Sequence, residues 1–210
     1  MKHQTTLQPW IPSVFAAAAL ALSVNPAAGA GDHIVSTFDT DLTSNGGANG
    51  NTFRVGDSPQ PSLLTWTNIN AGGGLGGSMY VVIDWGPQSG WQDTKVQTSM
   101  DPWPGYDLRQ YLYVELDVMI LTNRSQPSAA GNYGALQIVG QGWDGAGDNQ
   151  GVPWTPIAYV PLIPTNNWQH IRVTTLAFPH FLNRLTLNFN VNPNQPNHTQ
   201  IHYLVDNVKF

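Results

Sequence analysis

Residues 111–120 read Tyr-Leu-Tyr-Val-Glu-Leu-Asp-Val-Met-Ile, and this stretch decides the class of fold. Its even-numbered positions, from Leu112 to Ile120, are all aliphatic, whereas its odd-numbered positions carry Tyr, Glu, Asp and Met. An alternation with a period of two is typical of a β-strand that buries one face. The pattern therefore predicts a strand whose aliphatic face packs on a core and whose other face turns Glu115 and Asp117 outward.

The same alternation recurs along much of the chain. Residues 184–191 place Leu, Leu, Phe and Val on one face and turn Arg184, Thr186, Asn188 and Asn190 to the other, while residues 133–139 turn Gln137 outward. Further strands are predicted at residues 34–38, 63–67, 78–85, 157–162, 168–176 and 201–210. Helical periodicity is nearly absent, and residues 86–108 and 140–151 are predicted to be loops. About eight to ten antiparallel strands predict an all-β fold, a β-sandwich of jelly-roll type.

The first thirty residues are predicted to be a cleaved secretory signal peptide. A basic start at Lys2 precedes an apolar run over residues 11–22, and small residues at 28–30 suit cleavage after Ala30. A membrane anchor is the alternative, but the run is short and rich in alanine for a spanning helix. We therefore expect a secreted or extracellular protein, or a periplasmic one, in which residues 31–210 form a single β-sandwich domain.

The composition excludes several classes of function. The chain has no cysteine, which removes disulfides, thiolate catalysis and thiolate metal ligands. Its formal net charge is -5 and it has no basic stripe, so nucleic acid is not an expected partner, and nor is membrane insertion. Abundant amide, hydroxyl and aromatic side chains suit a neutral or weakly charged, hydroxyl-rich ligand, although strands and turns favour the same residues. We expect a monomer.

Four short motifs, in order along the chain, carry a resemblance. They are Phe38-Asp39, Gly-Ser-Met-Tyr-Val at 77–81, Trp-Gln-His-Ile-Arg-Val at 168–173 and Ile-His-Tyr-Leu-Val-Asp-Asn-Val-Lys-Phe at 201–210. Together they resemble carbohydrate-binding modules with a galactose-binding-like jelly roll. The resemblance implies a β-sandwich that binds a polysaccharide or oligosaccharide. Because one scaffold hosts many functions, the resemblance supports the fold more than the activity.

The same resemblance implies a structural calcium ion at the edge of the sandwich. Its matching positions here are Asp39, Asp41 and Asp206, in the first and last strand regions. Ca²⁺ prefers several oxygen ligands, and backbone carbonyls can complete its shell. The alternative is that Asp206 caps a turn and Asp39 is a surface residue.

A sugar site requires polar groups that fix hydroxyls and aromatic rings that stack on the sugar face. The predicted outward polar row, on neighbouring strands of one sheet, consists of Tyr113, Glu115, Asp117, Gln137, Arg172, Asn188 and Asn190. The candidate aromatic plates are Trp85, Trp91, Trp103, Trp143 and Trp154. Trp143 is the first choice because a polar, glycine-rich context would hide it poorly, although burial under a loop is the alternative for each ring.

Glu115 is the only glutamate in the chain, and Asp117 follows it on the same predicted face. Two carboxylates in this arrangement could serve a small glycoside hydrolase as acid and nucleophile or base. Hydrogen bonding in a binding groove and a salt bridge with Arg172 are the other interpretations. A third possible function is an extracellular structural domain with no sugar site. The expected function is non-catalytic polysaccharide binding on a concave sheet face, with the hydrolase and the structural domain as alternatives.

Overall fold

The computed structural model describes residues 32–42, 53–56, 61–72, 76–84, 92–99, 106–127, 131, 133–143, 155–176, 178–191 and 200–210. These residues form twelve strands and one short 3-10 turn at Leu108–Gln110. The strands are β1 (Ile34–Ser36), β2 (Arg54–Val55), β3 (Leu63–Thr67), β4 (Ser78–Asp84), β5 (Gln92–Ser99), β6 (Tyr106–Asp107), β7 (Tyr113–Ile120), β8 (Ala135–Trp143), β9 (Thr155–Pro161), β10 (Gln169–Thr174), β11 (Phe181–Val191) and β12 (Gln200–Lys209). No helix in these residues has the length and apolar character to cross a membrane. The predicted signal peptide lies outside them.

The strands form two antiparallel sheets. The first sheet has the order β10-β7-β12-β4-β3, and β1 pairs with the C-terminal part of β12. The second sheet has the order β2-β5-β11-β8-β9, and β6 pairs with the start of β11. Strands that are distant in sequence lie side by side, as expected in a sandwich with crossing connections. The predicted all-β sandwich of jelly-roll type is confirmed, with twelve strands in the described residues where about eight to ten were predicted.

The core lies between the two sheets and is built from the alternating aliphatic positions. Its fully buried members include Leu116 on β7, Leu187 and Phe189 on β11, and Tyr203 on β12. Burial of each such side chain contributes roughly 1.5–3 kcal/mol relative to exposure. The hydroxyl of Tyr203 donates to the backbone oxygen of Tyr133 at 2.7 Å, so this polar group has a partner inside the core.

A ring cluster joins the two sheets where β1 meets the end of β12. The backbone N–H of His33 donates to the oxygen of Phe210 at 2.8 Å, and the N–H of Phe210 donates back at 2.9 Å. The His33 ring stacks on Tyr106 of β6 with centroids 3.9 Å apart, and the Tyr106 hydroxyl donates to that of Tyr111 at 2.6 Å. Burial, followed by that hydrogen bond, raises the pKa of Tyr106. Since β6 belongs to the second sheet, these rings fasten the two layers together.

The predicted loop over residues 86–108 is wrong, because it contains β5 and β6. β5 reads Gln-Asp-Thr-Lys-Val-Gln-Thr-Ser, and its core-facing positions are Thr94, Val96 and Thr98, all buried. Because two of these three positions carry threonine instead of an aliphatic residue, a pattern based on hydrophobicity does not show the alternation. β2, with only two residues, was also missed.

Several strand boundaries also differ from the predictions, and two of these differences change how a residue is interpreted. β8 extends to Trp143, so residues 140–143 belong to a strand and not to the predicted loop. β7 begins at Tyr113, and Leu112 just before it is exposed instead of facing the core. Both differences lie at strand ends, where alternation carries least information.

Candidate functional site

The outer face of the second sheet carries a row of polar side chains that β11 positions. Leu185, Leu187 and Phe189 of β11 face the core, so alternation turns the residues between them to the other side of the sheet. Thr186, Asn188 and Asn190 occupy those outward positions. Polar residues alternate with large apolar ones over this stretch, which is why a single strand can serve the core and a site.

The neighbouring strands extend this row because residues opposite each other in antiparallel pairs share a face. Thr186 lies opposite Gln97 of β5, and Asn188 lies opposite Gln137 of β8. The next two outward positions of β8 are Val139 and Gln141. We call this surface the amide face; it consists of Gln97, Gln137, Gln141, Thr186, Asn188 and Asn190.

The amide face is withdrawn from solvent although it points away from the core. Thr186 and Asn190 are 0 % exposed and Asn188 is 2 % exposed. Val139 of β8, which lies opposite Thr186 on this face, is also fully buried. Water therefore has little access to these polar groups, and few water molecules compete for their hydrogen bonds.

Few of these groups satisfy one another. The side-chain Nδ2 of Asn188 donates to Oε1 of Gln137 at 2.9 Å, and Nδ2 of Asn190 reaches the backbone oxygen of Asn188 only at 3.5 Å. The Oγ1 of Thr186, the Oδ1 atoms of Asn188 and Asn190 and the Oε1 of Gln141 are buried and have no hydrogen-bond partner in the described part of the chain.

Buried unpartnered acceptors are unusual because each costs about 1–3 kcal/mol of lost hydration. Four of them on one face, from Gln141 to Asn190, point to a ligand that supplies donors. A ligand rich in hydroxyl groups has the matching chemistry, since each hydroxyl can donate one hydrogen bond and accept others. The six residues of the amide face can therefore bind such a ligand through neutral groups alone.

The outer face of the first sheet carries a separate, charged cluster. The Nε of Arg172 lies 2.9 Å from Oε1 of Glu115, and the Nζ of Lys209 lies 3.2 Å from its other oxygen. Lys209 also contacts Asp32 at 2.7 Å, a hydrogen bond that raises the pKa of Lys209 and lowers that of Asp32. The guanidinium of Arg172 covers the ring of Tyr113 at 3.7 Å.

Asp117 belongs to the same cluster. One of its oxygens lies 2.9 Å from Nδ1 of His170, and the other accepts from Nδ2 of Asn207 at 2.8 Å. His170 also approaches Glu115 at 3.7 Å. Each carboxylate thus faces at least two partners from neighbouring strands. The salt bridge between Glu115 and Arg172, which was one of the alternatives that the sequence left open, is present.

The prediction that all the polar candidates form one row on one sheet is wrong. Tyr113, Glu115, Asp117 and Arg172 lie on the first sheet, whereas Gln137, Asn188 and Asn190 lie on the second. The outer faces of the two sheets are on opposite sides of the sandwich. The structure therefore brings together the amides and separates them from the acidic pair.

The predicted aromatic plates fall largely outside the described residues. Trp85, Trp91, Trp103 and Trp154 lie outside them, so their roles remain predictions. Trp143 is described in its backbone alone: it is the last residue of β8, the strand that carries Gln137 and Gln141, and its backbone pairs with Phe181.

Two of the three predicted calcium ligands, Asp206 and Asp39, lie close to Ala71 and Gly76 respectively. Asp206 is buried and accepts hydrogen bonds from the backbone N–H of Ala71 at 2.8 Å and of Asn207 at 2.7 Å. Burial raises the pKa of Asp206 in spite of these bonds, and the charges of Asp117 and then Asp39 add to the effect. An oxygen of Asp39 lies 2.8 Å from the position that a Cβ on Gly76 would occupy, so glycine leaves room for that carboxylate.

These residues fit a hard cation in part. Asp39 and Asp206 supply two carboxylates whose mutual repulsion a cation would relieve, and each oxygen keeps a lone pair beyond its present bond. The other oxygen of Asp39 accepts from the hydroxyl of Thr37 at 2.8 Å. Asp41 is exposed, and no group of three or more His, Cys, Asp or Glu suited to a metal occurs within the described ranges.

Sequence reasoning missed half of the amide face. Gln97, Gln141 and Thr186 were not singled out, the first two because their segments were predicted to be loops. The spacing of polar residues from 184 to 190 placed Thr186 on the correct face, but Thr186 was not chosen as a candidate site residue.

Solved structures share this fold. No protein-family model matches the chain, and no curated protein matches it. The family 27 carbohydrate-binding module CBM27-1 of Caldicellulosiruptor saccharolyticus, solved in complex with mannohexaose, superposes with a TM-score of 0.52 at 15% identity, over 81% of this chain and 94% of that one. This similarity shows the β-sandwich fold.

Two further structures are less similar. A carbohydrate-binding module described as belonging to the β-sandwich superfamily gives a TM-score of 0.46 at 10% identity, over 87% of this chain and 62% of that one. An adhesin domain of Lys-gingipain from Porphyromonas gingivalis gives 0.44 at 11% identity, over 82% of this chain and 94% of that one.

Proposed function

We propose that this protein is an exported, non-catalytic polysaccharide-binding module that holds a sugar chain along the amide face. The observation that carries the proposal is the row of buried acceptors without partners, at Gln141, Thr186, Asn188 and Asn190. Sugar hydroxyls would donate to these oxygens and relieve their desolvation, so the free energy that the fold loses at this face is recovered on binding.

The position of the face supports a chain-like ligand. The row crosses the three neighbouring strands β5, β11 and β8. The distance between the two outer strands is roughly 10 Å. Trp143 at the end of β8 remains the first candidate for a ring that stacks on a sugar. The fold shared with a module solved with mannohexaose is consistent with this role.

The acidic pair supports binding over hydrolysis. A glycosidase needs one carboxyl group free to donate a proton and another free to attack or to activate water. Glu115 and Asp117 instead contact Arg172, Lys209, His170 and Asn207, on the side of the sandwich opposite the amide face. We assign these two carboxylates to stabilisation of the first sheet.

We further propose that Asp39 and Asp206 hold a structural Ca²⁺, with Asp41 as a possible third ligand. The ion would supply positive charge that offsets the repulsion between two carboxylates, one of them buried. It would thereby join the segment after β1, the segment around Ala71 and the last strand. The role of the ion would be to stabilise the fold, since the amide face contains none of these three residues.

Affinity electrophoresis of residues 31–210 through gels that contain different soluble polysaccharides tests the binding function. We expect one class of polysaccharide to retard the protein and Asn188→Ala and Asn190→Ala to abolish the retardation. Asn123→Ala is the matched control, since it removes an exposed amide from the turn after β7. Retardation that survives both amide-face substitutions would overturn the assignment of the site.

A further inference from the structure

Basic side chains border the amide face. Arg184 precedes Thr186 by one outward position on β11, and it lies opposite Ser99 and Gln141. Arg54 of β2 lies opposite Gln97. Lys95 of β5 lies opposite Asn188 and contacts Asp93 at 3.6 Å. Three cations and one carboxylate therefore occupy strand positions on this side of the second sheet.

This concentration of positive charge contrasts with the chain as a whole. The protein has 8 Lys and Arg against 13 Asp and Glu, which gives a formal net charge of -5. Elsewhere in the described structure, Arg109, Arg172 and Lys209 each pair with a carboxylate. Arg54 and Arg184 form no ion pair with any described residue, so no described carboxylate competes with a ligand for their guanidinium groups.

The spacing of these two arginines suits an extended ligand. Arg54 and Arg184 are two strands apart and two residues apart in register, which places their Cα atoms roughly 12 Å from each other. The unpartnered acceptors of Thr186 and Gln141 lie on the same strand as Arg184 or directly beside it. A single ligand could therefore meet both arginines and the amide row.

We propose that the polysaccharide bound at the amide face is anionic and carries carboxylate or sulfate groups that Arg184 and Arg54 bind. This inference rests on the proposed function and specifies its substrate class. A guanidinium presents paired N–H donors that match the oxygens of a carboxylate or sulfate, and such charge-assisted bonds are stronger than neutral ones. The neutral acceptors between the arginines bind the hydroxyls of the same chain.

The test is affinity electrophoresis and calorimetry of residues 31–210 with matched pairs of polysaccharides. Polygalacturonate is compared with its methyl ester, which keeps the backbone and loses the charge. A sulfated galactan is compared with unsulfated agarose, and xylan and mannan serve as neutral ligands. We expect the protein to bind the charged member of one pair and to bind its uncharged counterpart at least about tenfold more weakly. Binding of the charged polysaccharide should weaken as salt is added.

Three substitutions that each remove one positive charge test which arginines bind the ligand. Arg184→Gln is expected to weaken binding of the charged ligand about tenfold, through the loss of a charge-assisted bond. Arg124→Gln removes an exposed charge from the turn after β7 and is expected to leave binding unchanged. Arg54→Gln is expected to give a smaller loss than Arg184→Gln, because Arg54 is exposed on an edge strand.

The outcomes separate this inference from the function on which it rests. Binding to xylan, mannan, agarose or the methyl ester that Asn188→Ala abolishes and Arg184→Gln leaves intact would overturn the anionic ligand but keep polysaccharide binding. Equal loss in Arg184→Gln and Arg124→Gln would mean unspecific attraction of a polyanion and would also overturn it. No binding to any polysaccharide by the folded protein would overturn both.

Discussion

Asn188 donates from its Nδ2 to Oε1 of Gln137 across the β11–β8 pair, at 2.9 Å. This one bond fixes the orientation of both amides, because each has a donor end and an acceptor end. It leaves Oδ1 of Asn188 as an acceptor and Nε2 of Gln137 as a donor for a ligand. A sugar hydroxyl, which both donates and accepts, matches that pair.

Thr186→Val tests whether the amide face sacrifices stability for binding. Valine has nearly the shape of threonine and suits a strand, but it removes a buried hydroxyl that has no partner. We expect the free energy of unfolding to rise by about 1 kcal/mol, measured by urea denaturation, while polysaccharide binding weakens.

The control is Thr98→Val on β5, a fully buried threonine that faces the core. It is expected to leave binding unchanged, so the two substitutions separate the two sides of the second sheet. A Thr186→Val protein that is less stable than the wild type would contradict the absence of a partner for this hydroxyl.

Glu115→Gln tests the role of the acidic pair. The change removes the charge that faces Arg172 and Lys209 but keeps the size of the side chain. We expect a loss of about 1 kcal/mol in the free energy of unfolding, because these partners are partly exposed and solvent screens them. Polysaccharide binding should not change.

A reducing-sugar assay is the second measurement on the Glu115→Gln protein. We expect no release of reducing ends by the wild type or by the variant. Slow release by the wild type that Glu115→Gln abolishes would instead revive a hydrolytic role for this carboxylate.

The raised pKa of Asp206 predicts a pH dependence of stability. Because burial raises the pKa above its ordinary value of 3.8, the folded protein holds this proton more tightly than the unfolded chain does. The contribution of Asp206 to the free energy of unfolding therefore falls as pH rises from 3.8 through the folded-state pKa.

The contribution of Asp206 is isolated by comparing the free energy of unfolding of the wild type with that of Asp206→Asn, in EDTA from about pH 3 to about pH 7. The lowered pKa values of Asp32 and Asp107 give the opposite dependence, but both proteins share them and they cancel in the difference. We expect the stability of the wild type relative to the variant to decrease with rising pH. A difference that is flat, or that increases, would contradict the burial penalty at Asp206.

Calcium should raise the melting temperature of the wild-type protein if Asp39 and Asp206 hold the ion. At a free concentration one hundred times the dissociation constant, the gain is about 2.7 kcal/mol. Asp39→Asn and Asp206→Asn are expected to lose the shift, whereas Mg²⁺ should not reproduce it in the wild type. Asp41→Asn decides whether the third predicted ligand takes part. An unchanged melting temperature of the wild type in Ca²⁺ would reject the metal site.

The sequence predicted those elements whose two faces differ in polarity. β3 appeared at its observed bounds, and β7, β11 and β12 were located within one to three residues at each end. β5 was missed because Thr94 and Thr98 fill the core-facing positions that an aliphatic residue would mark. A buried threonine satisfies packing but gives no hydrophobic signal.

Alternation also could not tell which strands share a sheet. Alternation correctly predicted that Asn188, Gln137 and Glu115 point away from the core. The direction of each side chain follows from the pattern of residues i and i+2 within its own strand. Sheet membership depends on long-range pairing of β11 with β5 and β8, and of β7 with β10 and β12. The acidic pair and the amides were therefore assigned to one row although the sandwich separates them.

The pairing of His33 with Phe210 determines how the sandwich would respond to tension. β1 and β12 run antiparallel, so residues 32 and 210 leave the first sheet side by side. A force applied through these two points would open the β1–β12 pair like a zipper, one hydrogen bond after another, and would not shear all of them at once. The stack of His33 on Tyr106 lies at the point where that opening would start, so it would have to break before the strands separate.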